Sequence, residues 1–183
     1  MINQTNLEKK RDLSVSMLRG NVVALFIGIP VAIMQLMLFS WLHNGGEIAF
    51  TAWGFVLFLV FVGAGILVHE LIHGLTWVIL GKKPFSVVKF GVQWRTLTPY
   101  AHLREPLDVT IYRIGGFMPG LILGILPYIL SLVLGSGGLL WFSIIHTVAA
   151  GGDWIILWTL RHVKRGTRVE DHPSRAGCYV LEA

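Results

Sequence analysis

Four long apolar segments dominate this sequence and limit the folds that it can adopt. Each is near or above the ~20 residues that an α-helix needs to cross the hydrocarbon core of a bilayer. They cover residues 20–42, 52–80, 111–134 and 138–160. With 54% apolar residues and a mean hydropathy of +0.67, the chain of 183 residues is too hydrophobic for a soluble domain. We therefore predict a mainly α-helical integral membrane protein, with about four transmembrane helices in one domain over residues 1–183.

The basic residues predict how these helices are oriented. Lys and Arg are concentrated in residues 1–19, 81–110 and 161–183, and they are absent from the two other loops. Because the cytoplasmic loops of membrane proteins carry an excess of Lys and Arg, these three segments are predicted to be cytoplasmic. The protein is thus expected in the cell membrane, as a multi-pass protein with both termini in the cytoplasm. Its net charge of +5 reflects this topology and an attraction to anionic lipid headgroups, and no nucleic-acid partner is expected.

The cytoplasmic segments show a different pattern from the helices. In residues 81–110, apolar and polar residues are mixed and a short break separates two candidate strands, so we predict a small β-hairpin or sheet at the membrane surface. Residues 177–180 could add a strand to it from the tail. Short turns are predicted at residues 43–46 and 135–138. Cys178 is the single cysteine, so no disulfide can form within the chain.

The second apolar segment contains the sequence His-Glu-Leu-Ile-His at residues 69–73, an HExxH motif. Two histidines four residues apart lie on one face of a helix, where His69 and His73 can share a zinc ion. Glu70 then lies beside the metal as a general base. The alternative is that these side chains only form hydrogen bonds to neighbouring helices. The cost of burying ionisable groups in lipid favours the metal site.

A catalytic zinc site usually has three protein ligands and a water molecule, so a third ligand is needed. Glu70 and Asp153 are the only acidic residues in the apolar segments. Counted from the cytoplasmic ends of their helices at 1.5 Å per residue, His73 and Asp153 lie at depths of about 13 and 12 Å. We therefore predict Asp153 as the third ligand, the alternatives being a helix cap or an ion pair with Arg113. His146, on the same helix, is the reserve candidate.

Two further residues, His102 and Asp108, occur in the predicted cytoplasmic loop and are expected to be solvated there. Zinc would make a water molecule acidic and polarise a peptide carbonyl. Glu70 would accept the proton of that water and return it to the leaving amine. The motif therefore predicts a zinc-dependent metallopeptidase.

The chain resembles the small bacterial membrane proteins known as putative zincin peptidases, which are akin to the site-2 group of intramembrane metalloproteases. The resemblance rests on residues 69–74, on the loop 98–107, on the Gly152-Asp153 pair and on residues 171–173. It implies zinc bound by His69, His73 and Asp153, with Glu70 as the catalytic base. It also implies cleavage of membrane-anchored protein or peptide substrates near the cytoplasmic face. The wider group has its third ligand in an Asn-Pro segment ending in Asp-Gly, whereas this chain has Gly-Gly-Asp followed by Trp.

Two other functions are compatible with the same residues. The chain could bind metal through the histidine pair without catalysis, as a sensor or for stability, and Glu70 would then be dispensable. It could also be a small ion transporter that uses Glu70 and Asp153 to relay protons or cations, although it lacks internal inverted repeats. As a peptidase, it would need an extended substrate, which strands at 87–94 and 98–103 could bind by edge pairing. Nothing in the sequence specifies an oligomeric state.

Overall fold

The computed structural model describes residues 9–44 and 51–182, and the fold is mainly helical, with 65% of its residues in helices. The predicted N-terminal segment and the predicted turn at 43–46 lie partly outside these residues. The helices are α1 (Met17–His43), α2 (Ala52–Gly81), α3 (Val109–Pro119), α4 (Leu126–Leu134), α5 (Gly137–Ala149) and α6 (Gly151–Leu160). A π-helical segment, Gly120–Ile125, joins α3 to α4.

Within the described residues, three helices are long and apolar enough to cross a membrane: α1, α2 and the continuous helix Val109–Leu134. These agree with the first three predicted segments. The fourth predicted segment differs, because α5 and α6 form a helix pair bent by 42° rather than one straight helix. The bend occurs at Ala150 and Gly151, where α1 packs closely. A Cβ atom added to Gly151 would lie 2.7 Å from Cβ of Ala24.

In the described part of the chain, six strands form two small antiparallel sheets at one end of the helices. The predicted hairpin is present as β2 (Val88–Gln93) and β3 (Thr98–Leu103). The second sheet contains β1 (Lys9–Val15), β4 (Leu107–Asp108), β5 (Arg168–Asp171) and β6 (Ala176–Glu182). Its strand order is β1-β6-β5-β4, and the tail strand predicted at 177–180 is part of β6. Because β1 pairs with β6, both ends of the described chain lie at the same end of the helices.

A core of buried side chains joins the two sheets to α2 and α3. It contains Trp77 of α2, Leu103 of β3, Tyr112 of α3 and Val169 of β5. Cys178 of β6 also lies there, and burial raises the pKa of its thiol to about 12. Cys178 is therefore a protonated packing residue. This core fixes the hairpin and the tail against the C-terminal end of α2 and the N-terminal end of α3, and so forms one side of the candidate site.

Candidate metal centre

The structure brings His69, His73 and Asp153 together. The histidines are one turn apart on α2, and Asp153 is in the first turn of α6, which packs nearby. Asp153 Oδ2 is 3.0 Å from Nε2 of His69, and Oδ1 is 3.3 Å from Nε2 of His73. One ligand atom from each residue lies within 4.8 Å of the other two, so the group could hold a metal ion.

The chemistry of these side chains fits zinc. Two imidazole nitrogens and one carboxylate oxygen are a usual ligand set for a catalytic zinc. Such a set leaves a fourth position open for water or substrate. Both histidines are buried and Asp153 is partly buried, so an ion between them would be shielded from bulk solvent. Arg113 is not the partner of Asp153, because its guanidinium donates to the carbonyl oxygens of Leu160 and Val163. That alternative for Asp153 is therefore wrong.

His73 is held in place by residues of α2 and α3. Its Nδ1 donates a hydrogen bond to the carbonyl oxygen of Gly115, at 2.9 Å, which leaves Nε2 available to a metal. Its ring stacks on Trp77, and Trp77 stacks on Tyr112 at a centroid distance of 5.3 Å. The Trp77 indole N–H donates to the carbonyl oxygen of Tyr112. Such outer contacts fix the orientation of a metal-binding imidazole.

Glu70 borders the same space as these three residues. It lies on α2 beside both histidines, and the backbone N–H of Ala101 in β3 is directed at its carboxylate. The register of the hairpin explains this direction. Just after β3, the N–H of Arg104 donates to the carbonyl oxygen of Val87. Because N–H groups alternate in direction along a strand, the even-numbered residues of β3 direct their N–H groups at β2 and the odd-numbered residues direct theirs outward. The outer edge of β3 therefore faces the candidate site.

A cavity of about 520 Å³ connects these groups. Its wall includes His69, Glu70, His73 and Asp153 at one side, and β3, the tail loop 172–175 and the beginning of β6 at the other. The beginning of α1 closes a third side. The cavity is large enough for a short extended peptide segment next to the metal-binding group.

The opposite wall contains two residues that reasoning from the sequence did not assign to the site. His102, which was expected to be solvated, lines the cavity, with Nδ1 3.7 Å from Oδ2 of Asp171. Asp171 accepts hydrogen bonds from the N–H of Leu103 and from the hydroxyl of Tyr112. Burial raises the pKa of Asp171, although these two bonds favour its carboxylate form. In the sequence, Asp171 is one of the residues on which the family resemblance rests, but the sequence assigned it no role in the site.

The two remaining candidates, Asp108 and His146, are not among the described residues that could hold a metal ion together. Asp108 is the N-cap of α3 and accepts a hydrogen bond from the backbone N–H of Thr110 at 2.7 Å. His146, the reserve ligand, is buried in α5, and its Nδ1 donates to the carbonyl oxygen of Phe142. The group within reach of one ion consists of His69, His73 and Asp153.

Comparison with known proteins gives one match. A family model described as "Putative zincin peptidase" matches residues 62–168, which is more than half of the chain. The matched region runs from α2 to the beginning of β5 and includes Glu70 and the three residues that could hold a metal ion, His69, His73 and Asp153. No curated protein and no solved structure matches.

Proposed function

Because the chain belongs to the "Putative zincin peptidase" family, and because that family implies a zinc metallopeptidase, we propose that it hydrolyses peptide bonds of membrane-associated substrates near the cytoplasmic face. The observation that carries the proposal is the convergence of two histidines, one aspartate and Glu70 on a single cavity. This arrangement supports the relationship to the site-2 metalloproteases that the sequence suggested.

Each polar group in the cavity has a part in the proposed reaction. Nε2 of His69, Nε2 of His73 and a carboxylate oxygen of Asp153 would hold zinc, which supplies the acidity of a water molecule and the polarisation of the peptide carbonyl. Glu70 accepts the proton of the attacking water and passes it to the nitrogen of the leaving amine. The surrounding protein limits the access of bulk water, which strengthens the electrostatic interactions in the site.

A membrane location is supported by the surfaces of the helices. Large apolar side chains on α1 and α2 are exposed, among them Phe26 at 76% and Leu67 at 72%. Apolar side chains that face outward along several long helices are suited to lipid. We propose that the helices span the bilayer and that the sheets, with both ends of the chain, lie on the cytoplasmic side.

The proposal is tested by the metal content of the protein. Purified in detergent without chelator, or reloaded with Zn²⁺, the native chain is expected to hold about one zinc, because three protein ligands converge. The His69→Ala variant should lose it. The matched control is His172→Ala, which changes a histidine of the same cavity whose Nδ1 accepts N–H groups of its own loop. A native chain that takes up no zinc would refute the proposal.

A second prediction concerns how the substrate binds. We propose that an extended, unwound substrate segment pairs with the outer edge of β3, where the N–H and C=O of Ala101 are directed at the site. The usable edge is short, because Pro99 has no N–H and the N–H of Leu103 is bonded to Asp171. The N–H of Ala101, which is directed at Glu70 in this structure, would turn to the substrate backbone when the substrate binds. Ala101→Pro removes this N–H, so it should raise KM or reduce kcat/KM about tenfold, the loss of one hydrogen bond, without loss of zinc.

Val92→Pro is the matched control for this experiment. Val92 is opposite Pro99 in the register, so its N–H also points outward, but from the edge of β2. Proline at either position leaves the hydrogen bonds between β2 and β3 intact. If kcat/KM falls with Val92→Pro and not with Ala101→Pro, the substrate pairs with β2 and the assignment to β3 is wrong.

A further inference from the structure

Two buried imidazole nitrogens on different helices have no hydrogen-bond partner within the protein. They are Nδ1 of His69, on α2, and Nε2 of His146, on α5. Polar atoms that are buried without a partner are uncommon and costly, so each one needs a physical explanation. These two are the only ring nitrogens of this kind among the described residues.

The hydrogen-bonding roles of the two nitrogens are complementary. Nδ1 of His146 is 2.9 Å from the carbonyl oxygen of Phe142, which can only accept, so Nδ1 carries the proton and Nε2 offers a lone pair. His69 directs its Nε2 at Asp153. With a metal on that Nε2, a neutral His69 ring carries its proton on Nδ1. One unpartnered nitrogen is thus a donor and the other is an acceptor.

The packing of α5 against α2 places the two rings close to each other. The His146 ring lies against Gly65, which is one turn before His69 on α2. A Cβ atom added to Gly65 would lie 2.2 Å from Nε2 of His146, so any side chain there would displace the ring. The rings of His146 and His69 are also near enough to interact electrostatically. Gly65 therefore allows Nε2 of His146 to reach α2 beside His69.

His73, the second histidine of the HExxH motif, already has the hydrogen bond that His69 lacks, since its Nδ1–H donates to the carbonyl oxygen of Gly115. Metal-binding histidines almost always donate their second N–H to an acceptor, which fixes the tautomer and the orientation of the ring. We propose that His146 is the positioning residue for His69: its Nε2 accepts the hydrogen bond of Nδ1–H, directly after a small shift of the ring or through one water molecule. This inference rests on the proposed zinc site.

The experiment compares zinc affinity among variants, measured by competition with a chelator. His146→Leu replaces the imidazole with an apolar side chain that has no acceptor, and it should weaken zinc binding about 10–100-fold. His146→Gln keeps an acceptor oxygen and should recover part of that loss. The visible absorption spectrum of the Co²⁺-loaded protein reports the geometry of the ligands. It should change more in the His146→Leu variant than in the His146→Gln variant.

A pair of glycine variants tests the same contact without changing His146. Gly65→Ala should weaken zinc binding in the manner of His146→Leu. Gly63→Ala makes the same change in the same helix, but its Cβ would have no atom within 4 Å, so zinc affinity should stay at the native value.

Three results would contradict the proposal in distinguishable ways. Native zinc affinity in the His146→Leu variant would show that His146 does not position His69. Equal losses in His146→Leu and His146→Gln would show that His146 acts through packing alone. If the native chain itself binds no zinc, the proposed function fails, and the role of His146 fails with it.

Discussion

Replacing Glu70 with Gln is expected to lower the rate of peptide hydrolysis roughly 10²–10⁴-fold, the usual contribution of a general base. The amide has nearly the same shape as the carboxylate, but it cannot accept the proton of the attacking water. Glu70 is outside the group that could hold the metal, so the variant should still bind about one zinc. The measurement is kcat with a peptide substrate, together with the zinc content of the same sample.

The control for this prediction is Glu105→Gln. Glu105 forms an exposed ion pair with Lys83 at 2.5 Å, away from the cavity wall, so its replacement should leave both kcat and zinc content unchanged. The decisive comparison is between zinc content and turnover in the Glu70→Gln variant. If turnover persists at the native rate, Glu70 is not the base, and the non-catalytic metal-binding function becomes the better interpretation of the histidine pair.

Replacing Asp153 with Asn is expected to weaken zinc binding about 100-fold or more. Structural zinc in zinc-finger peptides binds with about 10–16 kcal/mol, so on that scale one of about four ligands accounts for roughly 3 kcal/mol. The Asn side chain also removes the negative charge that lies between His69 and His73. The measurement is the dissociation constant for Zn²⁺ by chelator competition, with the loss of turnover as a second readout.

Asp108→Asn is a matched control, because it makes the same chemical change at the N-cap of α3. Asn and Asp are about equally good N-caps, so this variant should fold and bind zinc as the native chain does. If Asp153→Asn keeps the native zinc affinity, Asp153 only forms hydrogen bonds to the two histidines. The third ligand would then be sought elsewhere, beginning with His146.

Several features of the fold could be predicted because they depend on local patterns in the chain. The long helices follow from uninterrupted apolar segments, and the hairpin follows from a short break between two mixed segments. Strand β1 was missed because Lys9–Val15 begins with four charged residues and has only two apolar residues, Leu13 and Val15. It forms through backbone hydrogen bonds to β6, and through contacts such as the ion pair between Lys10 and Glu170.

The sequence by itself determined that His69, Glu70 and His73 lie together, because the geometry of an α-helix fixes neighbours four residues apart. Asp153 could be proposed as their partner from its depth, since an isolated carboxylate in lipid is costly. Only the tertiary structure decided that His102 and Asp171 face the same cavity and that His146 packs at Gly65. These contacts join residues far apart in the chain, and they depend on how the helices and the two sheets pack, which no local periodicity specifies.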